Sequence, residues 1–472
     1  MSNAADSVPQ AASAQNWRAY PFDLVPGDPD FRFPAAEGVH PDSQSDTWFI
    51  AGDLAAIGSE RRFAFLTIFN KNRMPGPIIA DFHTVALFDL DNGTYSTFTD
   101  YDMPPKNMEP GAVPKLTSVT GYLDMSYESS AGTAEWRTRR GDDGNLIPFT
   151  YDVVLVGVDQ EGKDMELRLA VAPTRAPAPV GGSVYNGRFP CLGQQETFSY
   201  FQTGMAVTGS LRWGDVDERV SGSSAHVDRQ WFPLYAGGGG TDGDQRAMSH
   251  EWRTIHLDNG VDFVGWRQFD RNDRNALRPF TGATVTSSGD ESVPGGSRAG
   301  GDHVACVEDV EVVTTSYVRW PDSVRQLIRP PAKARYMPDG HRLSSASLDL
   351  ELTAEPLVPA PAHGLPIEYM EGPCLFRGTM NGKPVTGFGI WERSLALYRD
   401  WELVEVLAAA VASLPSPSQP MAEAVDELRT LIGAERRQDA TDYVNTKLGP
   451  ALVGLPHEVL AVVDDLASAL AT

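Results

Sequence analysis

From Trp48 to about Trp391, apolar and polar positions alternate in short runs closed by Gly, Asp, Asn or Pro. That period of two predicts antiparallel strands joined by tight turns. Arg61 to Asn70 sets Phe63 and Phe65 on one face and Leu66 and Ile68 on the other. Asp81 to Leu90 runs into Asp91-Asn92-Gly93, a strong hairpin turn. Tyr151 to Val158 and Met165 to Ala172 flank Glu161-Gly162 as a further hairpin, and Met205, Val207, Gly209, Leu211 and Trp213 alternate along the next strand. Past Arg393 the period lengthens: Met421, Ala424, Val425, Leu428, Leu431 and Ile432 recur at helical spacing, and Leu455 to Leu470 repeats the pattern with a wider apolar face. These helices are expected as a hairpin packed on the β body, with a homo-oligomerisation arm or a lid over a barrel mouth as the alternatives.

A chain of 472 residues exceeds one typical domain. The expected division is an N-terminal arm (1–45), a first β-barrel (46–230), a second β-barrel (231–399) and a helical extension (400–472). The formal net charge of -24 repels a phosphate backbone, which removes nucleic acid from the partners. Residues 1–14 are polar, and no run of about 18 apolar residues occurs, so no integral membrane segment is expected. Cys191, Cys306 and Cys374 lie far apart without zinc-ribbon spacing, which suits a reducing cytoplasm.

Four segments in order carry a family resemblance: DTWFIAGDLAAIGSERRFAFLTIFNKNR from Asp46, IADFHTVALFDLDNG from Ile79, AHVDRQW and then HEWRTIHLDNG between Gly222 and Gly260, and EYMEGPCLFRGTMNGKPVTGFGIWER from Glu368. Together they resemble the AttH and carotenoid 1,2-hydratase family of lipocalin-like proteins, related to kievitone hydratase and to lipocalin-like Diels-Alder cyclases. The resemblance implies a mainly β chain of two tandem lipocalin-like antiparallel β-barrels, here with a C-terminal α-helical extension. It also implies a cofactor-independent hydratase or dehydratase acting on an alkene of a hydrophobic, isoprenoid or terpenoid molecule. An isomerase or cyclase on a polyene, and a non-catalytic carrier of hydrophobic ligands, are the alternatives.

Adding water to an unactivated alkene needs a strong acid, and a carboxyl desolvated in an apolar cavity stays protonated. Asp228 is the candidate acid. His226 shares its strand face, with Val227 opposite, and is the candidate to tune that carboxyl or deprotonate the water. The set expected to bind substrate is Trp231, His250, Trp252 and Tyr200, in which the Trp faces stabilise a tertiary cation. His250, Trp252, Thr254 and His256 share one face of Ser249 to Leu257. Plainer roles compete: an ion pair or turn anchor for Asp228 beside Arg229, core packing for Trp231 and His83, and strand bridging for Glu371 and Glu392. Gly237 to Gly240 reads as a gate over the cavity. No HxH or HxxxH spacing, Walker loop or GxSxG elbow occurs, so neither metal nor cofactor is expected.

Overall fold

Two antiparallel sheets make up the body of the chain in the computed structural model, which describes residues 16–73, 80–191, 194–233, 246–287, 297–299, 302–324, 326, 331–416, 419–448, 452 and 454–471. Among these residues the first sheet holds thirteen strands. Its path runs from Thr94–Asp102 through Asp81–Asp89, Arg62–Asn72 and Ser45–Ala56 to Val216–Phe232, Gln194–Trp213, Asp164–Ala172 and Leu146–Val158, and ends at Leu116–Ser118. This sheet is a nearly closed barrel. The second sheet, twelve strands among the described residues, is centred on Met248–Leu257, Val261–Asp270, Lys383–Ser394 and Tyr369–Met380. It curls only into a half-barrel. Its edge strand Glu311–Arg319 packs against helix Asp400–Ala412, which gives that edge a covering without closure.

The sheet strands reproduce the alternation of the sequence, but in the first barrel both faces are buried. Along Arg62–Asn72, Phe63, Phe65 and Phe69 point into the barrel. Ala64, Leu66 and Ile68 point outward and pack in a separate apolar cluster with Trp252, Val264 and Ile390 of the second sheet. A barrel standing alone would turn that outer face to water; here it forms the seam with the second sheet. Where Ser45–Ala56 crosses Val216–Phe232 the backbones approach closely. A Cβ on Gly52 would lie 2.9 Å from the Ala225 Cα, so this crossing requires glycine.

Part of the interior of the first barrel is filled by the N-terminal arm. Trp17, Phe22, Leu24, Phe31 and Phe33 join its core. Glu37 is fully buried there and accepts hydrogen bonds from the hydroxyls of Tyr20 (2.9 Å) and Tyr151 (2.6 Å). Burial pushes this carboxyl up to about 7, against the lowering pull of the two phenols.

Helices Asp400–Ala412, Gln419–Gly433 and His457–Leu470 bury their apolar positions against one another and against Tyr336 and Leu397, as the helical period predicts. The bundle is tied to the second sheet by a fully buried ion pair: Arg271 Nη2 lies 2.9 Å from both carboxylate oxygens of Glu402 and donates also to the Ala396 carbonyl. Glu402 in turn accepts from the backbone N–H groups of Tyr398 and Arg399. Removing one partner of such a pair strands a buried charge, whereas removing both does not. Arg271→Met is therefore expected to cost about 3–5 kcal/mol in chemical denaturation, and Arg271→Met combined with Glu402→Leu to recover most of it. Equal losses in the single and double variants would contradict a charge-pair anchor.

Candidate active site

Strand Val216–Phe232 sorts its side chains by parity. Ala225, Val227 and Trp231 lie in the core of the first barrel, and Arg229 joins them by pairing with buried Asp46 at 2.7 Å. His226, Asp228 and Gln230 therefore face the seam. Asp228 Oδ1 accepts a hydrogen bond from Ser199 Oγ at 3.1 Å.

The second sheet brings two more carboxyls to the same place. Glu371 and Glu392 are direct cross-strand partners, and Trp252 is the partner of Glu392 on its other side. Glu392 makes a short contact to His250 Nε2, while His250 Nδ1 lies 3.0 Å from Ser394 Oγ. The imidazole stacks on Trp266, with ring centroids 4.8 Å apart. Both carboxyl oxygens of Glu371 are buried without a hydrogen-bond partner. Burial, and then the charge of Glu392, pushes Asp228 up to about 7. Burial followed by the charges of Glu392 and Asp228 holds Glu371 well above the usual carboxylate range. Three carboxyls facing one apolar seam cannot all ionise at neutral pH, so this cluster stores protons.

His226 sits beside the cluster and apart from it. It is buried, with both ring nitrogens unpartnered, among Phe201 (5.7 Å between centroids), Trp252 (5.6 Å) and His256 (5.8 Å). Burial, and then His256, lowers it well below the ordinary imidazole value, so it is neutral. His226 and Asp228 share a face as their spacing predicts, yet they do not meet, because side chains two apart on a strand stand about 7 Å from each other. Asp228 is raised chiefly by burial, with a smaller push from Glu392 and none from His226. His256 is held by Thr203 Oγ1 at 2.9 Å and by Asp262 at 3.3 Å.

Trp252 lines the seam, edge-on to Phe49 at 5.3 Å. Trp231 and Tyr200 do not. Trp231 is sandwiched between Phe198 (5.3 Å) and His40 (4.1 Å), and Tyr200 packs on Phe33 (4.8 Å), all within the first barrel. Their parity is opposite to that of Asp228, and the N-terminal arm occupies the space in front of them. The segment from Gly237 to Gly240 lies outside the described residues. His83 is a core residue bonded to Thr67 Oγ1 at 2.9 Å. Among the described residues no cluster of three or more His, Cys, Asp or Glu side chains could hold a metal ion.

Glu392 bridges strands through His250, as its sequence context suggests, whereas both carboxyl oxygens of Glu371 bond to nothing among the described residues. The signal that places them was present: Asn381-Gly382 is a two-residue hairpin turn, which pairs Met380 with Lys383 and, by counting back, Glu371 with Glu392. A carboxyl whose folded pKa is raised binds its proton more tightly in the folded state, so it lowers stability as pH rises from its unfolded value near 4 to its folded value near 7. Asp228→Asn and Glu371→Gln are each expected to be more heat-stable than the parent at pH 8 and to lose that advantage by pH 4. Parallel stability profiles across that range would refute the protonated cluster.

Residues 24–389 match the family model described as AttH-like. Among solved structures, a protein described as AttH from Nitrosomonas europaea superposes with a TM-score of 0.54 at 19% identity, covering 79% of this chain and 99% of that one. Kievitone hydratase from Nectria haematococca gives 0.49 at 14% identity, covering 77% and 92%. At these identities the likeness is one of fold. No curated protein sequence matches the chain.

Proposed function

The chain belongs to the AttH-like family, and from that premise we propose that it is a cofactor-independent hydratase or dehydratase working on an alkene of a hydrophobic, isoprenoid-type substrate. The reaction is placed in the seam between the two sheets. The observation that carries this reading is Asp228: a carboxyl half-open to the seam, pushed up to about 7, with two further carboxyls behind it.

In the hydration direction the Asp228 carboxyl gives its proton to the less substituted alkene carbon. A C–H bond forms from the π pair, and the positive charge falls on the more substituted carbon. The faces of Trp252 and Phe201 suit that cation through their ring quadrupoles. Water adds to the cation and loses a proton to neutral His226, whose unpartnered nitrogens are free to accept it. Acid and base stand about 7 Å apart along the strand, so the two proton transfers are assigned to different ends of the reacting alkene and water. Glu392, fixed by His250, acts as a positioning residue whose charge adds to the burial that holds Asp228 protonated. Dehydration runs through the same transition state.

The test is mass spectrometry of prenylated and terpenoid alkenes and tertiary alcohols incubated with the protein in heavy-oxygen water. A labelled gain of water, or its loss, is expected, falling about 10²–10⁴-fold in Asp228→Asn. The rate should decline above about pH 7 as Asp228 ionises. Changed connectivity at unchanged mass would replace this reading with an isomerase or cyclase, and full turnover in Asp228→Asn would remove the proposed acid.

A further inference from the structure

The odd-numbered residues of strand Met248–Leu257 face away from the seam, into the half-barrel, and carry a second charged cluster. Glu251 is the carboxylate at its centre. It accepts from Arg253 Nη2 at 3.0 Å, Arg267 Nε at 2.6 Å and Arg393 Nη1 at 3.0 Å. Glu251, Arg253 and Arg393 are each no more than 2% exposed. One carboxylate thus serves three guanidiniums, leaving two positive charges without a bonded counter-charge among the described residues. Asp339, a half-buried carboxyl near Cys374 raised by burial to about 6, forms no ion pair with these guanidiniums among the described residues. Arg271 and Glu402 neutralise one another, and Glu405 is bonded to Arg429. His341, lowered to about 3 chiefly by burial, is neutral.

The donors left over are as telling as the charge. Arg393 Nε and Nη2, Arg253 Nε, Trp391 Nε1 and both ring nitrogens of His341 are buried without hydrogen-bond partners. Trp391 is the cross-strand partner of Arg253, and His341, from a strand three places along the same curled sheet, brings its ring to 4.9 Å from that of Trp391. Gly265 makes room for the Arg253 stem: a Cβ there would lie 3.1 Å from its Cγ. An unpaired buried guanidinium is costly, and its planar fork matches an oxyanion. We propose that the half-barrel interior is a binding site for a small oxyanion, a carboxylate or an inorganic phosphate or sulfate, held by Arg393 and Arg253 with Trp391 and His341 beside them. These donors lie on the opposite face of the sheet from the carboxyl cluster, so the proposed site stands or falls independently of the proposed reaction.

Calorimetric titration of the full chain with phosphate, sulfate and acetate, at ionic strength matched with chloride, tests the site and separates its possible sources. One saturable equivalent of oxyanion is expected, with chloride not competing at equal concentration. Arg393→Met should weaken that binding at least ~10-fold, and Glu251→Gln, which removes the competing carboxylate, should tighten it. Asp228→Asn should leave it unchanged. Should Arg393→Met fail to fold, crystals of the parent protein soaked in selenate carry the test: an anomalous peak within hydrogen-bond distance of Arg393 Nη2 is expected. No saturable uptake, uptake equal to that of chloride, or selenate located only elsewhere would overturn the proposal.

Discussion

Burial of the outer face of the first barrel is the constraint on which the rest of the structure depends. A lipocalin-like barrel normally has one apolar face, turned inward, and one wet face. Here Phe49, Leu66, Phe88 and Phe201 are apolar on the outside, and the second sheet covers them with Trp252, Val264 and Ile390. Burial at a rate of roughly 25 cal/mol per Å² makes such a contact strongly favourable. It also removes water from any polar group caught within it, and Asp228, Glu371 and His226 are caught there.

The first barrel's interior tells the complementary story. Part of its volume is taken by the protein's own arm, through Phe31, Phe33 and Glu37, and a cavity remains among His83, Val85, Tyr127 and Leu155. The cluster of raised carboxyls lies in the seam and not in this interior. The two carboxyl environments illustrate the difference. Glu37 is raised by burial but has both oxygens satisfied by phenols, whereas Glu371 is raised by burial and has neither oxygen satisfied. A satisfied buried acid stabilises one packing arrangement; an unsatisfied one, beside the half-buried Asp228 carboxyl, carries a desolvation cost that no hydrogen bond offsets.

The second sheet uses alternation in the same way. Even-numbered positions of Met248–Leu257 deliver His250, Trp252 and His256 to the acidic seam, and odd-numbered positions deliver Glu251 and Arg253 to a basic interior. A sheet one residue thick thus separates an excess of carboxyls from an excess of guanidiniums. Slipping the register by one residue would exchange the two sets, which is why the Asn381-Gly382 turn and the glycine-tight strand crossings matter to function as well as to folding.

The sequence by itself determined the element types and the sharing of faces. Period-two runs became strands, Asp91-Asn92-Gly93 closed the hairpin between Asp81–Asp89 and Thr94–Asp102, helical spacing after Arg393 became a packed bundle, and His226 and Asp228 emerged on one side. These are local properties, set by backbone geometry over a few residues. Tertiary structure alone decided which face met which. Parity says that Tyr200 and Trp231 oppose Asp228, but only the docking of the arm and of the second sheet makes one face a barrel core and the other a seam that gathers buried carboxyls. It also decided that Asp228 answers to Glu392, more than 160 residues away in the chain, rather than to His226 two residues away, because charge coupling follows distance through space and strand neighbours on one face stand too far apart to touch.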